Sequence, residues 1–247
     1  MTGPVALHGG GEFLPGDERF LGALLRLTPP DRGVRVAIVP SAAARGRPDL
    51  AADNGVAAFR RIAIGAGIQV VVEAVRIVDA ASAADPSLAR TLEAATLIYL
   101  PGGDPDVIPT LYPGSAAWAA IESAHAGGAV LAGASAGAMG LAAWTWTPAG
   151  VVPGLGLVPG IIVAPHADGT SWARWVARFG GSVPAGVGAL GLAERTGVIV
   201  AAGGAEPWQV IGEGEARWLP PNETDVGATV VARDGGTLDV GRTGPSG

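Results

Sequence analysis

The chain has 247 residues, a formal charge of -6, 49% apolar and 15% charged residues, and no cysteine; its 16 basic residues are all arginine. The missing lysine and cysteine exclude a Schiff-base lysine, a P-loop lysine, a Ser-Lys dyad, a cysteine nucleophile and a thiolate metal site. The acidic balance without a basic cluster argues against nucleic acid or an anionic membrane as partner, and no apolar run reaches the length of a membrane span.

This length suits one α/β domain, read here over residues 1–247 with a loose tail at about 242–247. The first residues lack a basic stretch followed by a long apolar core, so a cytoplasmic location is the default expectation.

Val5-Ala-Leu7 reads as a strand entering the glycine loop His8-Gly-Gly-Gly-Glu12. Asp17 then precedes a helical pattern with Phe20, Leu21, Leu24 and Leu25 on one face. The loop does not meet the Gly-x-Gly-x-x-Gly phosphate pattern and reads instead as a backbone that passes close to something else. Val34 to Val39 is the second strand. A polar loop from Ser41 to Pro48 carries Arg45 and Arg47, and a long helix covers about Leu50 to Ala66.

One or two strands follow within Ile68 to Val78, then a helix near Pro86 to Ala94. The buried-type strand Leu97 to Leu100 enters a second glycine turn, Pro101-Gly-Gly-Asp104. Helical stretches at Asp106 to Tyr112 and Ser115 to His125 lead to the next strand. Alternation of strand and helix up to residue 143 predicts a doubly wound, mostly parallel α/β sheet flanked by helices. Beyond it, Ile161 to Ala164 and Val187 to Ala193 read as strands separated by a helix from about Ser171 to Phe179. Short antiparallel strands with glycine turns fill the stretch toward the C-terminus. The segment Ser123 to Ala167 holds no Asp, Glu or Arg, so it is core or a neutral pocket wall.

Chemistry concentrates at Ala129-Val-Leu-Ala-Gly-Ala-Ser135-Ala-Gly-Ala-Met-Gly-Leu-Ala-Ala143. An apolar strand runs into Gly133-Ala-Ser135-Ala-Gly137, and helix formers leave it, which is the pattern of a nucleophile elbow. Gly133 and Gly137 leave room for close backbone approach, and the N–H of Ala136 opens the helix where an oxyanion would form. A serine nucleophile needs a base, and only His8, His125 and His166 are present. His125 ends a predicted helix, where an imidazole caps carbonyls. His166 follows the nucleophile at a strand end and has acids downstream, which favours it. The third member is Glu194, at the end of the next strand, with Asp168 as the alternative. Gly103, in the second glycine turn, is the expected second oxyanion donor.

Candidate substrate contacts are Asp104, Trp172 and Arg45. Arg45 and Arg47 are either a carboxylate clamp or solvated loop arginines, and Trp144, Trp146 and Trp172 are either core or an aromatic pocket wall. No metal or cofactor is expected.

His8-Gly-Gly-Gly-Glu12, Tyr99-Leu-Pro-Gly-Gly-Asp104, Gly133-Ala-Ser-Ala-Gly-Ala138, the strand to His166, and Gly191-Leu-Ala-Glu-Arg-Thr196 occur here in one order. In this order the chain resembles the cyanophycinase and peptidase E family, over about residues 5 to 219. That resemblance implies a fold like class I glutamine amidotransferases, with serine at the elbow. It implies Ser135 as nucleophile, His166 as base, and Gly103 with Ala136 as oxyanion donors. The peptidase E branch takes its acid from between nucleophile and histidine, whereas cyanophycinases use a Glu after the histidine. No acid lies in the first interval here, so Glu194 resembles the cyanophycinase arrangement. The likeness does not extend to the substrate residues: Pro105, Pro165 and Gly169-Thr-Ser-Trp172 stand where cyanophycinases carry other side chains.

The expected function is a serine-type peptidase cleaving a small peptide or isopeptide amide through an acyl-enzyme, with other acyl substrates and a homodimer left open. The alternative is a non-catalytic ligand-binding or interaction protein that retains the fold.

Overall fold

Short runs of aliphatic residues, each stopped by glycine, proline or a polar turn, build the strands, and alanine-rich amphipathic stretches build the helices between them. In the computed structural model, residues 2–29, 31–202 and 207–240 are described. β1 (Val5–His8) leads to α1 (Glu18–Leu27), which buries Phe20, Leu21, Leu24 and Leu25. β2 (Val34–Ile38) leads to α2 (Pro48–Ala66), opened by a proline in its first turn and closed by Gly67 at a φ of 67°. β3 (Val70–Ala74), α3 (Ala80–Ala83), α4 (Pro86–Glu93), β4 (Leu97–Leu100), α5 (Val107–Leu111) and α6 (Ala116–Ala126) follow. β5 (Val130–Ala134) runs into α7 (Ala136–Leu141), and then come β6 (Ala142–Thr147), β7 (Gly150–Pro153) and β8 (Val158–Ala164). α8 (Gly169–Phe179), β9 (Gly188–Leu192), β10 (Thr196–Val200), β11 (Trp208–Gly212), β12 (Glu215–Leu219), β13 (Val230–Arg233) and β14 (Thr237–Leu238) complete the described strands and α-helices.

The strands form two sheets. The first has the order β14-β11-β10-β1-β5-β4-β2-β3; β1, β5, β4, β2 and β3 are parallel, and β10, β11 and β14 extend it antiparallel. The second has the order β13-β12-β9-β8-β6-β7, with β6, β8 and β9 parallel between antiparallel neighbours. The C-terminal antiparallel strands expected from the sequence are present and are shared between the sheets. None of the described helices is long and apolar enough to cross a membrane.

One apolar cluster spans both sheets, joining Leu7, Ile98, Leu100 and Leu131 to Val163, Leu190, Leu192 and Trp218. Each such aliphatic side chain, fully buried, contributes about 1.5–3 kcal/mol. A second cluster packs α1 and α2 on the first sheet through Phe20, Leu21, Phe59 and Tyr99. A third packs α8 on the second sheet through Trp172, Val176, Phe179 and Leu219.

Of the one or two strands expected within residues 68 to 78, a single strand, β3, forms, and the helix formers after Ser135 make α7 only to Leu141, where β6 begins at Ala142. Trp144-Thr-Trp-Thr147 alternates aromatic and β-branched residues, which suits a pleated surface better than a helix. Thr145 and Thr147 are buried while Trp144 and Trp146 are half-buried, as a period of two requires. The charge-free stretch 123–167 mostly supplies core strands. The proposed loose tail at 242–247 lies outside the described residues.

His125 is buried in the last turn of α6, and its Nδ1 lies 3.1 Å from the carbonyl of Ala129, tying that helix to the start of β5. Burial holds the imidazole below its ordinary 6.5, against the smaller opposing effect of that hydrogen bond. The unfolded chain therefore binds this proton more readily, and stability falls as pH drops below about 6.5. Urea midpoints measured at neutral and mildly acidic pH will show this fall, and His125→Gln will flatten it; equal slopes for both proteins contradict the assignment.

The elbow depends on close contact between α7 and β4. A Cβ on Gly137 would sit 2.0 Å from the Leu100 carbonyl oxygen, and one on Gly133 would sit 2.5 Å from the Gly137 carbonyl carbon. Gly137→Ala will lower stability by about 1–3 kcal/mol or more by overpacking, read from the chemical unfolding midpoint. An unchanged midpoint would mean the helix does not lie this close to the strand.

Candidate active site

The chain passes from the first sheet to the second through α7 and returns between β9 and β10. Carboxyl ends of β1, β4 and β5 from one sheet, and of β8 and β9 from the other, meet along this seam. In parallel α/β sheets that is the edge where ligands gather.

Ser135 follows β5 and holds a φ of 49° and ψ of -117°, a conformation that side chains rarely adopt. Its N–H donates to the His8 carbonyl at 2.9 Å, and its carbonyl accepts from Met139 N–H at 2.9 Å, so both sides of the strained residue are tied. The turn presents the hydroxyl beside Ala136, the first residue of α7, whose N–H has no partner within its own helix.

His166 follows β8, also in the left-handed region at a φ of 51°. Its N–H donates to the Gly9 carbonyl at 2.8 Å, and its own carbonyl accepts from Asp168 N–H at 3.1 Å and from the Ser171 hydroxyl. The ring lies on the glycine loop after β1, where a Cβ on Gly10 would come within 2.2 Å of His166 Cε1. Glu194 sits at the return crossing after β9, and the next residue, Arg195, at a φ of 52°, donates its N–H to the Gly10 carbonyl at 2.7 Å.

Through these contacts the structure brings Ser135, His166 and Glu194 together. Ser135 Oγ is 3.0 Å from His166 Nε2, and His166 Nδ1 is 3.1 Å from Glu194 Oε1. With Nδ1–H donated to the carboxylate, Nε2 is the acceptor for the serine hydroxyl. The His166 and Glu194 side chains are 49% and 53% exposed, so the row lies open to solvent.

Asp168 is otherwise engaged. Its carboxylate caps α8 by accepting from Thr170 and Ser171 N–H, and the Ser171 N–H is the main cause of its lowered pKa.

The second glycine turn closes the other side of Ser135. Gly102 N–H donates to Glu12 Oε1 at 2.7 Å and Asp104 N–H donates to the Ala42 carbonyl at 2.7 Å. Arg45 bridges Asp104 at 2.9 Å and Asp106 at 2.7 Å, and these partners raise its pKa, with Asp106 the larger cause. Two of the expected substrate contacts thus bind each other on the rim. Trp172 takes the core alternative and is no substrate contact: it is 2% exposed, packed between α8 and the second sheet, with its indole N–H donated to Thr229. Its place on the buried face of an amphipathic helix is what puts it in the core.

Two features escaped the sequence reading. Glu12 reaches across to the turn after β4, a contact between residues far apart in the chain. His8 and Asp17 form a buried pair beneath the glycine loop, with Nε2 and Oδ1 3.0 Å apart, and His8 Nδ1 accepts from Gly10 N–H at 3.3 Å. Above that pair, burial pushes the Tyr99 phenol well up, with the Asp17 and Glu12 charges adding to it.

The profile of peptidase family S51 matches residues 5–205. No curated protein matches the chain. Among solved structures, a peptidase from an acI-B1 Actinobacterium is similar at 23% identity with a TM-score of 0.78, over 96% of this chain and 97% of that one. A protein of Listeria monocytogenes EGD-e assigned to peptidase E is similar at 15% identity with a TM-score of 0.59, over 87% and 99%. Likeness at such identities concerns the fold, which both share with this chain. The family match spans most of the sequence and agrees with the resemblance read from its motifs: the chain belongs to peptidase family S51 and is a peptidase.

Proposed function

We propose that the protein is a serine-type hydrolase that cleaves a small peptide or isopeptide amide through an acyl-enzyme, with Ser135 as nucleophile, His166 as base and Glu194 as the acid that orients it. The observation that carries this reading is the unbroken row from Ser135 Oγ to His166 to Glu194, with separations of 3.0 and 3.1 Å, at a strained elbow.

In this mechanism Ser135 Oγ attacks the scissile carbonyl carbon while its proton passes to His166 Nε2. Glu194 stabilises the imidazolium through Nδ1–H. The carbonyl oxygen gains negative charge and is met by the N–H groups of Ala136 and Gly103, each such donor being worth about 3–4 kcal/mol in the transition state. Collapse breaks the C–N bond, and His166 returns the proton to the departing amine. Water then repeats the sequence, releasing the acid and restoring the serine. Because both sheets contribute to this one row, the chain is read as a single hydrolytic domain.

Ser135→Ala will lower kcat by about 10⁴-fold or more on any amide the wild type turns over, and Glu194→Gln by about 10²–10⁴-fold. Asp168→Asn, which keeps a capping oxygen, will leave kcat within a few-fold. A fluorophosphonate probe, followed by peptide mapping, will label Ser135. Full activity in Ser135→Ala would falsify the mechanism, and a larger loss from Asp168→Asn than from Glu194→Gln would reassign the acid.

A further inference from the structure

Three successive N–H groups follow β4, and they are used differently. Gly102 donates to the Glu12 carboxylate and Asp104 donates to the Ala42 carbonyl, both at 2.7 Å. Between them, Gly103 N–H has no hydrogen-bond acceptor among the described residues. A Cβ on Gly102 would lie 3.0 Å from both Glu12 Oε1 and Ser135 Cβ, so carboxylate and serine flank the same glycine. A Cβ on Gly103 would lie 2.2 Å from the Ala42 oxygen, which presses this residue onto the neighbouring turn at a φ of 157°.

The peptide plane joining Gly102 to Gly103 is bounded by two glycines, whose backbone torsions turn at little steric cost. Rotation of that plane by half a turn would replace the Gly103 N–H with the Gly102 carbonyl oxygen. A donor aimed at a developing oxyanion would become an acceptor opposing it. The planes on either side are pinned, one by a backbone oxygen and one by the side chain of Glu12. Hydrogen bonds to a carboxylate are the stronger kind, and this one is short.

We propose that Glu12 is a positioning residue for the oxyanion hole: by holding Gly102 N–H, while the Ala42 carbonyl holds Asp104 N–H, it anchors the near end of the turn that carries Gly103 N–H beside Ser135. This rests on the reading of Ser135 as the nucleophile. Glu12 transfers no proton in this role, and its negative charge near the oxyanion is a cost. The useful property is an acceptor oxygen at that place, which a glutamine amide also offers.

The test compares Glu12→Ala and Glu12→Gln in the full chain, using an aminoacyl p-nitroanilide that the wild type hydrolyses. Removing one oxyanion donor costs about 10²–10³-fold in kcat, so Glu12→Ala, which loosens a donor without removing it, will lose about 10- to 100-fold in kcat with KM within threefold. Glu12→Gln will stay within about threefold of wild type, since the hydrogen bond persists. In ¹⁵N-labelled protein, the Gly102 amide will exchange with solvent faster in the Ala variant than in the wild type and Gln variant, at an unchanged unfolding midpoint. The proposal is overturned by an unchanged kcat in Glu12→Ala, by a Gln variant as slow as the Ala variant, or by equal Gly102 exchange in all three. The mechanism itself fails on a different observation, hydrolysis by the wild type that survives Ser135→Ala.

Discussion

Four backbone hydrogen bonds on three consecutive residues tie together the segments that follow β5, β8 and β9 where the two sheets meet. The carbonyls of His8, Gly9 and Gly10 accept from Ser135, His166 and Arg195, and Gly9 N–H donates to the Thr196 carbonyl, all between 2.7 and 2.9 Å. Each such bond contributes about 1 kcal/mol net to stability, which is modest. Their larger effect is geometric, because a hydrolytic row works only when its members are held within about half an ångström of the productive arrangement. Side chains would wreck this junction: a Cβ on Gly9 would lie 2.1 Å from the Ala193 oxygen. The glycine loop after β1 is therefore a mount for three other segments.

Beneath the mount lies the His8–Asp17 pair, both side chains essentially free of solvent. Asp17 also accepts from Phe13 N–H at 2.9 Å, and His8 accepts from Gly10 N–H, so the pair holds the loop from below at two points. Buried ionisable pairs are a poor source of stability, because desolvation offsets their attraction. Here the arrangement gives a fixed loop conformation. Among the described residues there are thus two histidine–carboxylate pairs, one sealed under the loop and one open above it, and exposure separates the buried pair from the one proposed to react.

Much of this was legible in the sequence because it is local. The strand, the two spacing glycines and the serine of the elbow lie within a few residues, and the ends of β8 and β9 mark His166 and Glu194 without reference to anything distant. The absence of Asp and Glu between residues 135 and 166 narrowed the acid further. What escaped depends on tertiary contact. The partnership of Glu12 with Gly102 joins residues 90 apart, and no period or motif in the sequence records it. Trp172 illustrates the converse: nearness to His166 in the chain leaves core and pocket wall both open, and helical rotation carries it to the buried face. The start of the β6–β7 hairpin is hidden because Leu141-Ala-Ala143 are better helix formers than strand formers, and only packing between α7, β6 and β8 decides.

Ser135, His166 and Arg195 share one further trait, a backbone held at φ values of 49°, 51° and 52° without the freedom of glycine. Each such residue carries about 1–3 kcal/mol of conformational cost that the surrounding folded structure must offset. That burden falls at and beside the proposed catalytic row and is a sizeable fraction of what a protein of this size has in reserve. Selection for heat tolerance in this enzyme would find some of its cheapest gains at these positions, and would lose turnover as it took them.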